Sequence, residues 1–539
     1  MEASDLRAAF EPFLRCIARV FLAGAASLGA VGCDQSQLGE LSLPPSLLAE
    51  SFVVEAAAAE AGQVEPAPVL EAVVMDEDPL LLAPGSGATE TLQEALASAY
   101  LVNPDLAAAR AKLRAIDEEV GVAKSGLRPN VTASADTGYA NTHNSITGNN
   151  PDAQANFGPD GDLISDGTTH PRGYALGVSQ PLFQGFQNLN AVRQAKARVQ
   201  AGREDLRQAE QTVLLAAVTA YSDVVRDQTI VRLREKNVAD LTKERGRTAA
   251  EFKIGEVTRT DMAQAEARLS GAIAFLNAAR ADLKASRAVY EKVIGHPPGR
   301  LAPTPSIFQR LPTTLDHANT IADAENPQIL SAVYTEEASL YQVNQIMGEL
   351  LPSVTLEAQY QQRYDLSRVL DGEEATTVVG RVTVPLYQGG GVSARVRQAK
   401  QTNTQYKREV ESARLSTHSD VLANWGILQT SGPEITAARA AIANNKVSLV
   451  GTRKEQSIGR RTTLDVLNAL RELVDSEIGL VEALHGRLVA EYSLAAAVGR
   501  LDAQSLGLST PYYDPTEHYD DVANKLVGLR PPSPPDADN

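Results

Sequence analysis

The feature that most constrains this chain is that it repeats itself. Leu92, Pro104 and Pro129 recur as Leu315, Pro327 and Pro352 at one offset, 223 residues. Pro181-Leu182, Gln184-Gly185 and Gln194-Ala195-Lys196 recur as Pro385-Leu386, Gln388-Gly389 and Gln398-Ala399-Lys400 at a second offset, 204. Ile254-Gly255, Asp261, Leu269 and Gly295 keep that second offset to Ile458-Gly459, Asp465, Leu473 and Gly499. A register held this long marks a duplicated structural unit. The offset changes once, between Pro129 and Pro181, so one loop of the first copy is about 19 residues longer. The copies span 91–310 and 311–510, and a tail follows at 511–539. Each copy reads as helix, strand, loop, strand, very long helix, break, helix.

The helices carry rows at seven-residue spacing. Leu92, Ala99, Leu106, Leu113 and Val120 form the first. A long helix, roughly 186 to 251, aligns Val192, Val199, Leu206 and Val213, with Ala195, Gly202, Ala209 and Ala216 three residues on. The next helix aligns Met262, Leu269, Leu276, Leu283 and Tyr290, with Ala265, Ala272, Ala279 and Ser286. Its counterpart has Val466, Leu473, Leu480 and Leu494, with Ala469, Ser476, Ala483 and Ala490. Such rows predict supercoiled helix pairs, and the small residues let the helices approach closely. Asn403, Thr417 and Asp420 fall at seam positions of the second long helix, so no strict coiled coil is expected there. About 66 residues of helix make a rod of roughly 100 Å, which must lie beside others. Periodicity alone suits a soluble coiled-coil scaffold equally well.

The interrupting segments say more. Val131, Ala133, Ala135, Thr137 and Tyr139 alternate with polar or small residues; so do Tyr174, Leu176 and Val178. Val354, Leu356, Ala358 and Tyr360, then Val378, Val382 and Val384, repeat the pattern in the second copy. Strands are expected near 130–141, 173–181, 353–364 and 376–386, long enough to cross a hydrocarbon layer at a tilt. Pro129, Pro181, Pro352 and Pro385 mark the ends where strand meets helix. Polar loops, 140–172 and 364–375, join the strands of each pair at the other end. Four strands close no barrel by themselves, so several chains must share one.

Composition narrows the function. A net charge of -17 and the absence of a basic stripe exclude nucleic acid as a partner. The only cysteines, Cys16 and Cys33, cannot build a disulfide framework or a multi-cysteine zinc site. No histidine cluster, nucleophile motif or phosphate loop occurs, so no metal, cofactor or enzymatic activity is expected. Arg15 and Arg19 precede an apolar run, 21–31, suited to a signal peptide over 1–33. Cys33 loosely resembles a lipoprotein cleavage box lacking its usual leucine; cleavage without lipidation is the plainer expectation. Residues 34–90 carry acids but no Lys or Arg, with many Ala and Pro, as a disordered linker would. No later stretch has 18 consecutive apolar residues, so a membrane form must be a barrel.

Val384-Pro385-Leu386-Tyr387-Gln388-Gly389-Gly390 and its echo Gln180-Pro181-Leu182-Phe183-Gln184-Gly185 resemble the strand-to-helix signature of the TolC family. Ile254-Gly255-x-x-Thr258-x-x-Asp261 and Ile458-Gly459-x-x-Thr462-x-x-Asp465-Val466-Leu467-Asn468-Ala469 are similar to that family's motifs at the periplasmic tip. Tyr513-Asp514-Pro515-Thr516-x-His518-Tyr519 resembles the extension of members serving type I secretion. The resemblance covers about residues 90 to 525. It implies a mainly α fold with a membrane β-barrel: a homotrimer whose twelve-stranded barrel takes four strands from each chain and continues as a long helical periplasmic tunnel. It also implies outer-membrane residence, a periplasmic adaptor, an inner-membrane ABC or RND transporter, and passive export of protein or small-molecule cargo. Type I secretion is the leading expectation, with RND-type drug or metal efflux as the rival. By the same resemblance Asp465 lines the closed mouth as a selectivity ring, and Asn468 stands where the family often has a second aspartate. Arg461, Asp261 and Thr260 match partners in links that hold the entrance shut, and Gln456 replaces the family's tyrosine. Like-charge crowding in that ring is expected to raise the Asp465 pKa, so that cation preference fades on mild acidification.

Overall fold

The computed structural model describes residues 89–142, 167–366 and 371–530. The expected signal segment, Cys33, nearly all of the linker and part of each polar loop lie outside them. The described chain begins with α1 (Leu92–Val102) and α2 (Pro104–Ser125), then strands β1 (Asn130–Thr137), β2 (Ala140–Thr142), β3 (Gly167–Thr169) and β4 (Arg172–Gln184). Helices α3 (Gln187–Lys253) and α4 (Arg259–Ile294) complete the first copy. The second runs α5 (Leu315–Glu325), α6 (Pro327–Gly348), β5 (Ser353–Tyr364), β6 (Gly372–Thr383), α7 (Gly391–Ser457) and α8 (Thr463–Ala497). The short helices α9 (Ala503–Leu506) and α10 (Glu517–Val522) follow. Both long helices are 67 residues.

The duplication survives in side-chain detail. Asn103 and Asn326 each cap a helix that opens with proline. Each also donates its side-chain amide across to the other helix pair, Asn103 to the Val293 carbonyl at 3.1 Å and Asn326 to Ala497 at 2.8 Å. The seam rows are largely inside: Val192, Val199, Leu206 and Val213 are buried, as are Ala265, Ala272 and Ala279. Asn403 is buried and donates to the Glu336 carboxylate at 2.9 Å. Asp420 departs from the expected seam: it is exposed, and Val421 beside it is fully buried. One residue turns a helix by about 100°, and the apolar neighbour takes the inward place.

Four strands form one antiparallel sheet in the order β1-β4-β5-β6, while β2 and β3 make a separate small ribbon. Register places Val131, Val178, Ala358 and Val378 side by side across all four strands, with Ala133, Leu176 and Tyr360 in the adjacent row. The opposite face carries Thr132, Gln359 and Thr377 in the corresponding places. One apolar face and one polar face result, and Val131 and Val378 are more than 60% exposed in the single chain. The outer edges of β1 and β6 have no strand partner among the described residues. Unpaired edges of this kind do not persist in hydrocarbon.

Several strand boundaries differ from expectation, and β6 ends at Thr383, short of the expected 386. The strand expected over 130–141 breaks after Thr137, and β6 begins earlier than expected because Glu373 and Glu374 continue the register against Arg363 and Gln362. Pro181 lies inside β4, at a register shift against β5, and not at the strand's end. β1 covers β4 only as far as Ser179, so proline's missing N–H interrupts no ladder on that side. Pro129, Pro352 and Pro385 do flank their strands.

Where sheet gives way to helix, two backbones touch. A Cβ on Gly185 would lie 2.1 Å from the Gly348 carbonyl oxygen, and Gly185 has φ of +56°. Gly185→Ala is therefore expected to destabilise the fold by more than about 2 kcal/mol. Gly246→Ala, in open space on α3, should change stability by less than about 1 kcal/mol. Thermal unfolding of the two variants makes the comparison, and equal midpoints would show that the crossing relaxes freely.

Candidate functional site

At one end of the helical region the chain reverses twice, between α3 and α4 and between α7 and α8. Gly255 and Gly459 take φ of +83° and +74° as the long helices end. A β-branched residue would be strained there. Thr258 and Thr462 then open α4 and α8 with reciprocal capping boxes. Asp261 Oδ2 accepts from the Thr258 N–H at 2.9 Å and its hydroxyl at 2.7 Å. Asp465 Oδ2 accepts from the Thr462 N–H at 2.9 Å and its hydroxyl at 2.8 Å. These bonds, with Arg461 nearby, hold the Asp465 carboxyl below the usual carboxylate range. A depressed carboxylate stabilises the fold above its unfolded pKa and loses that contribution as pH falls through the folded value. The window therefore lies below about pH 4.

The expected gate residues are separated within one chain. Arg461 Nε donates to Glu455 at 2.9 Å, an exposed pair that raises the arginine's pKa further. Asp261 is engaged by Thr258, and Thr260 is exposed beside it. Gln456 accepts from Arg247 and donates to Thr463 Oγ1 at 3.4 Å. Asn468 accepts from Arg268 at 3.0 Å, which ties α8 to α4.

Sequence reasoning missed Arg247. It also pairs with Glu244, which is buried, and lies 3.5 Å from Glu251, so one guanidinium joins the end of α3 to the end of α7. The i, i+3, i+4 spacing of Glu244, Arg247 and Glu251 near a helix C-terminus was the available signal. A second missed feature holds the tail. His518 Nδ1 lies 3.2 Å from Asp117 Oδ2, both nearly or fully buried. Burial pushes the Asp117 carboxyl up, against the pull of His518. Such a group stabilises most below its unfolded pKa and loses that contribution as pH rises through the folded value. His518→Ala removes the hydrogen-bonding partner and leaves only the more distant Arg203 to offset the burial. Proteolytic clipping of the tail is then expected to accelerate in the variant as pH rises above about 4; clipping as slow as wild type at pH 7 would mean the pair does not hold the tail.

Among the described residues no group of three or more His, Cys, Asp or Glu is placed to hold a metal, and no helix is long and apolar enough to cross a membrane. What the geometry offers is a rod-like helical body with a polar tip at one end and an open-edged amphipathic sheet.

The sequence model of the family described as "Outer membrane efflux protein" matches residues 92–296 and 320–500. The outer membrane efflux protein BepC of Brucella suis biovar 1 (strain 1330) is 39% identical over 445 residues, covering 82% of this chain and 93% of that protein. Outer membrane protein TolC of Escherichia coli (strain K12) is 24% identical over 433 residues, covering 77% and 84%. The solved structure of CusC superposes with a TM-score of 0.66 at 16% identity, covering 80% of this chain and 99% of that one.

Proposed function

The chain belongs to the outer membrane efflux protein family and is an outer-membrane export duct with a periplasmic extension, and from that premise we propose that it works as a homotrimer. Three copies of the β1-β4-β5-β6 sheet close one twelve-stranded barrel, and their long helices continue it as a tunnel. The observation that carries this is the open-edged sheet with one apolar face. Joining β6 of one copy to β1 of the next satisfies every edge without asking the four strands to close alone. Crosslinking of paired cysteines on β1 and β6 tests it: a ladder ending at three chains is expected, and a monomer alone refutes it.

An inner-membrane transporter and a periplasmic adaptor would dock at the helical tip, and the duct itself would make or break no bond. The tail containing Tyr513 and His518 favours type I protein secretion. The efflux role named for BepC favours small-molecule export instead. Co-purification of the transporter from crosslinked cells decides between them: an ABC exporter supports secretion and an RND pump supports efflux.

Threefold symmetry would bring three copies of Asp465 together at the mouth, where like charges favour cations. The capping bonds from Thr462 oppose the mutual repulsion. Cation preference is therefore expected to persist through mild acidification and to fade at lower pH than crowding alone predicts. Asp465→Asn should abolish the preference in bilayer recordings. Identical selectivity in the variant and wild type would remove Asp465 from the filter.

A further inference from the structure

The last described segment has no role in the duct so far. From Tyr513, whose N–H donates to the Tyr100 hydroxyl at 3.1 Å, the tail climbs along α2 through the Asp117–His518 contact. Lys124 Nζ then donates to the Ala523 carbonyl at 2.8 Å, and Arg128 to the Lys525 carbonyl at 3.1 Å. Arg128 lies two residues before β1, and Leu127 beside it accepts from Gln180 of β4 at 3.1 Å. The tail is thus fixed at the foot of the sheet.

There it does something costly in water. Lys525 Nζ donates to the Arg530 carbonyl at 2.8 Å, and Gly528 takes φ of +130°, closing residues 525–530 into a loop. The loop turns Leu526, Val527 and Leu529 outward, 74%, 89% and 104% exposed. Charge is graded along the same path. Exposed Asp520 and Asp521 lie lower, while Lys124, Arg128, Lys525 and Arg530 gather at the level of the loop, with no carboxylate in ion-pair range among the described residues. Lys196 adds a further like charge near Lys124.

We propose that residues 525–530 are a membrane anchor: the loop inserts Leu526, Val527 and Leu529 into the periplasm-facing leaflet beside the barrel, and its cations bind phospholipid phosphates. The occupant is lipid because the loop's exposed apolar side chains sit at the foot of the sheet, next to the strand that starts at Asn130 and carries an apolar face. Apolar side chains capped by cations also match the polarity of a leaflet from its tails to its headgroups. Acids just below would be repelled from headgroups and kept in the aqueous layer. The inference rests on the barrel reading, and its test separates the two.

Full-length protein carrying Leu526→Trp is reconstituted into phosphatidylethanolamine–phosphatidylglycerol vesicles containing lipids brominated on their acyl chains. Val378→Trp, on the apolar face of β6, serves as reference, and the unsubstituted protein supplies the background of Trp425, buried in α7. Quenching of both added tryptophans is expected. Quenching at position 378 without position 526 overturns the anchor and leaves the barrel. No quenching at either sinks the barrel reading first. Crosslinking of Leu526→Cys to a sister chain, or its free labelling by a water-soluble thiol reagent in vesicles, also overturns the anchor. For the headgroup claim, Arg530→Gln should lower retention of phosphatidylglycerol relative to phosphatidylcholine about fivefold, and unchanged retention refutes it.

Discussion

Glu491→Ala is expected to lower the stability of the folded chain by about 3–5 kcal/mol, read as a fall in the thermal unfolding midpoint of the purified protein. Arg487 Nε donates to Glu491 Oε1 at 3.1 Å, and both side chains are almost completely buried. Glu491 Oε2 takes two more donors from the segment joining the copies, the Ser306 hydroxyl at 2.6 Å and the Ile307 N–H at 3.1 Å. The guanidinium also lies over the Phe308 ring at 5.0 Å. Removing the carboxylate strands a buried cation and two donors together, and burial without a partner is where polar groups cost most. Glu491→Gln should fall between, since an amide keeps an acceptor but leaves Arg487 uncompensated. Replacing both residues by methionine should recover much of the loss, because a volume-matched apolar pair has no charge to desolvate. If Glu491→Ala melts with wild type, water reaches the pair and its burial has been overstated.

That pair also marks the boundary of what the sequence makes legible. Its helix sets Val466, Leu473, Leu480 and Leu494 in one row, and the gap at the fourth place is Arg487. A charged residue at a seam position signals a buried partner, yet only half of its partners lie on the same helix. Much local chemistry was readable: Thr-x-x-Asp gives the capping boxes, Asn-Pro gives two helix starts, and alternation gives the apolar face of the four strands of the main sheet. The duplication was readable too, because an offset is a property of the string. Partners some 200 residues apart were not. Nothing local to Asn468 announces Arg268, and nothing local to Gln456 announces Arg247, because packing of separate helices decides both. For the same reason the sequence alone places Pro181 at a strand's end. Whether a proline ends a strand depends on how far its neighbour extends, and β1 covers β4 only as far as Ser179.

Arg461→Ser should open the tunnel mouth while leaving the fold almost unchanged. Among the described residues of one chain Arg461 is ion-paired with Glu455, in a pair about half exposed on both sides, and lies near Asp465, so its loss should leave the unfolding midpoint close to wild type. If Arg461 instead reaches Asp261 or Thr260 of a sister chain, symmetry makes three such links at once. Three links of surface-pair strength lost together should shift the population toward open by roughly 3- to 150-fold. Arg247→Ala offers the contrast. It strands buried Glu244 and unties α3 from α7 inside one chain, so stability and conductance should change together. A conductance rise in Arg461→Ser with an unmoved melting midpoint identifies a link between chains. Conductance equal to wild type in that variant would remove Arg461 from the gate and leave the mouth held by the contacts each chain makes with itself.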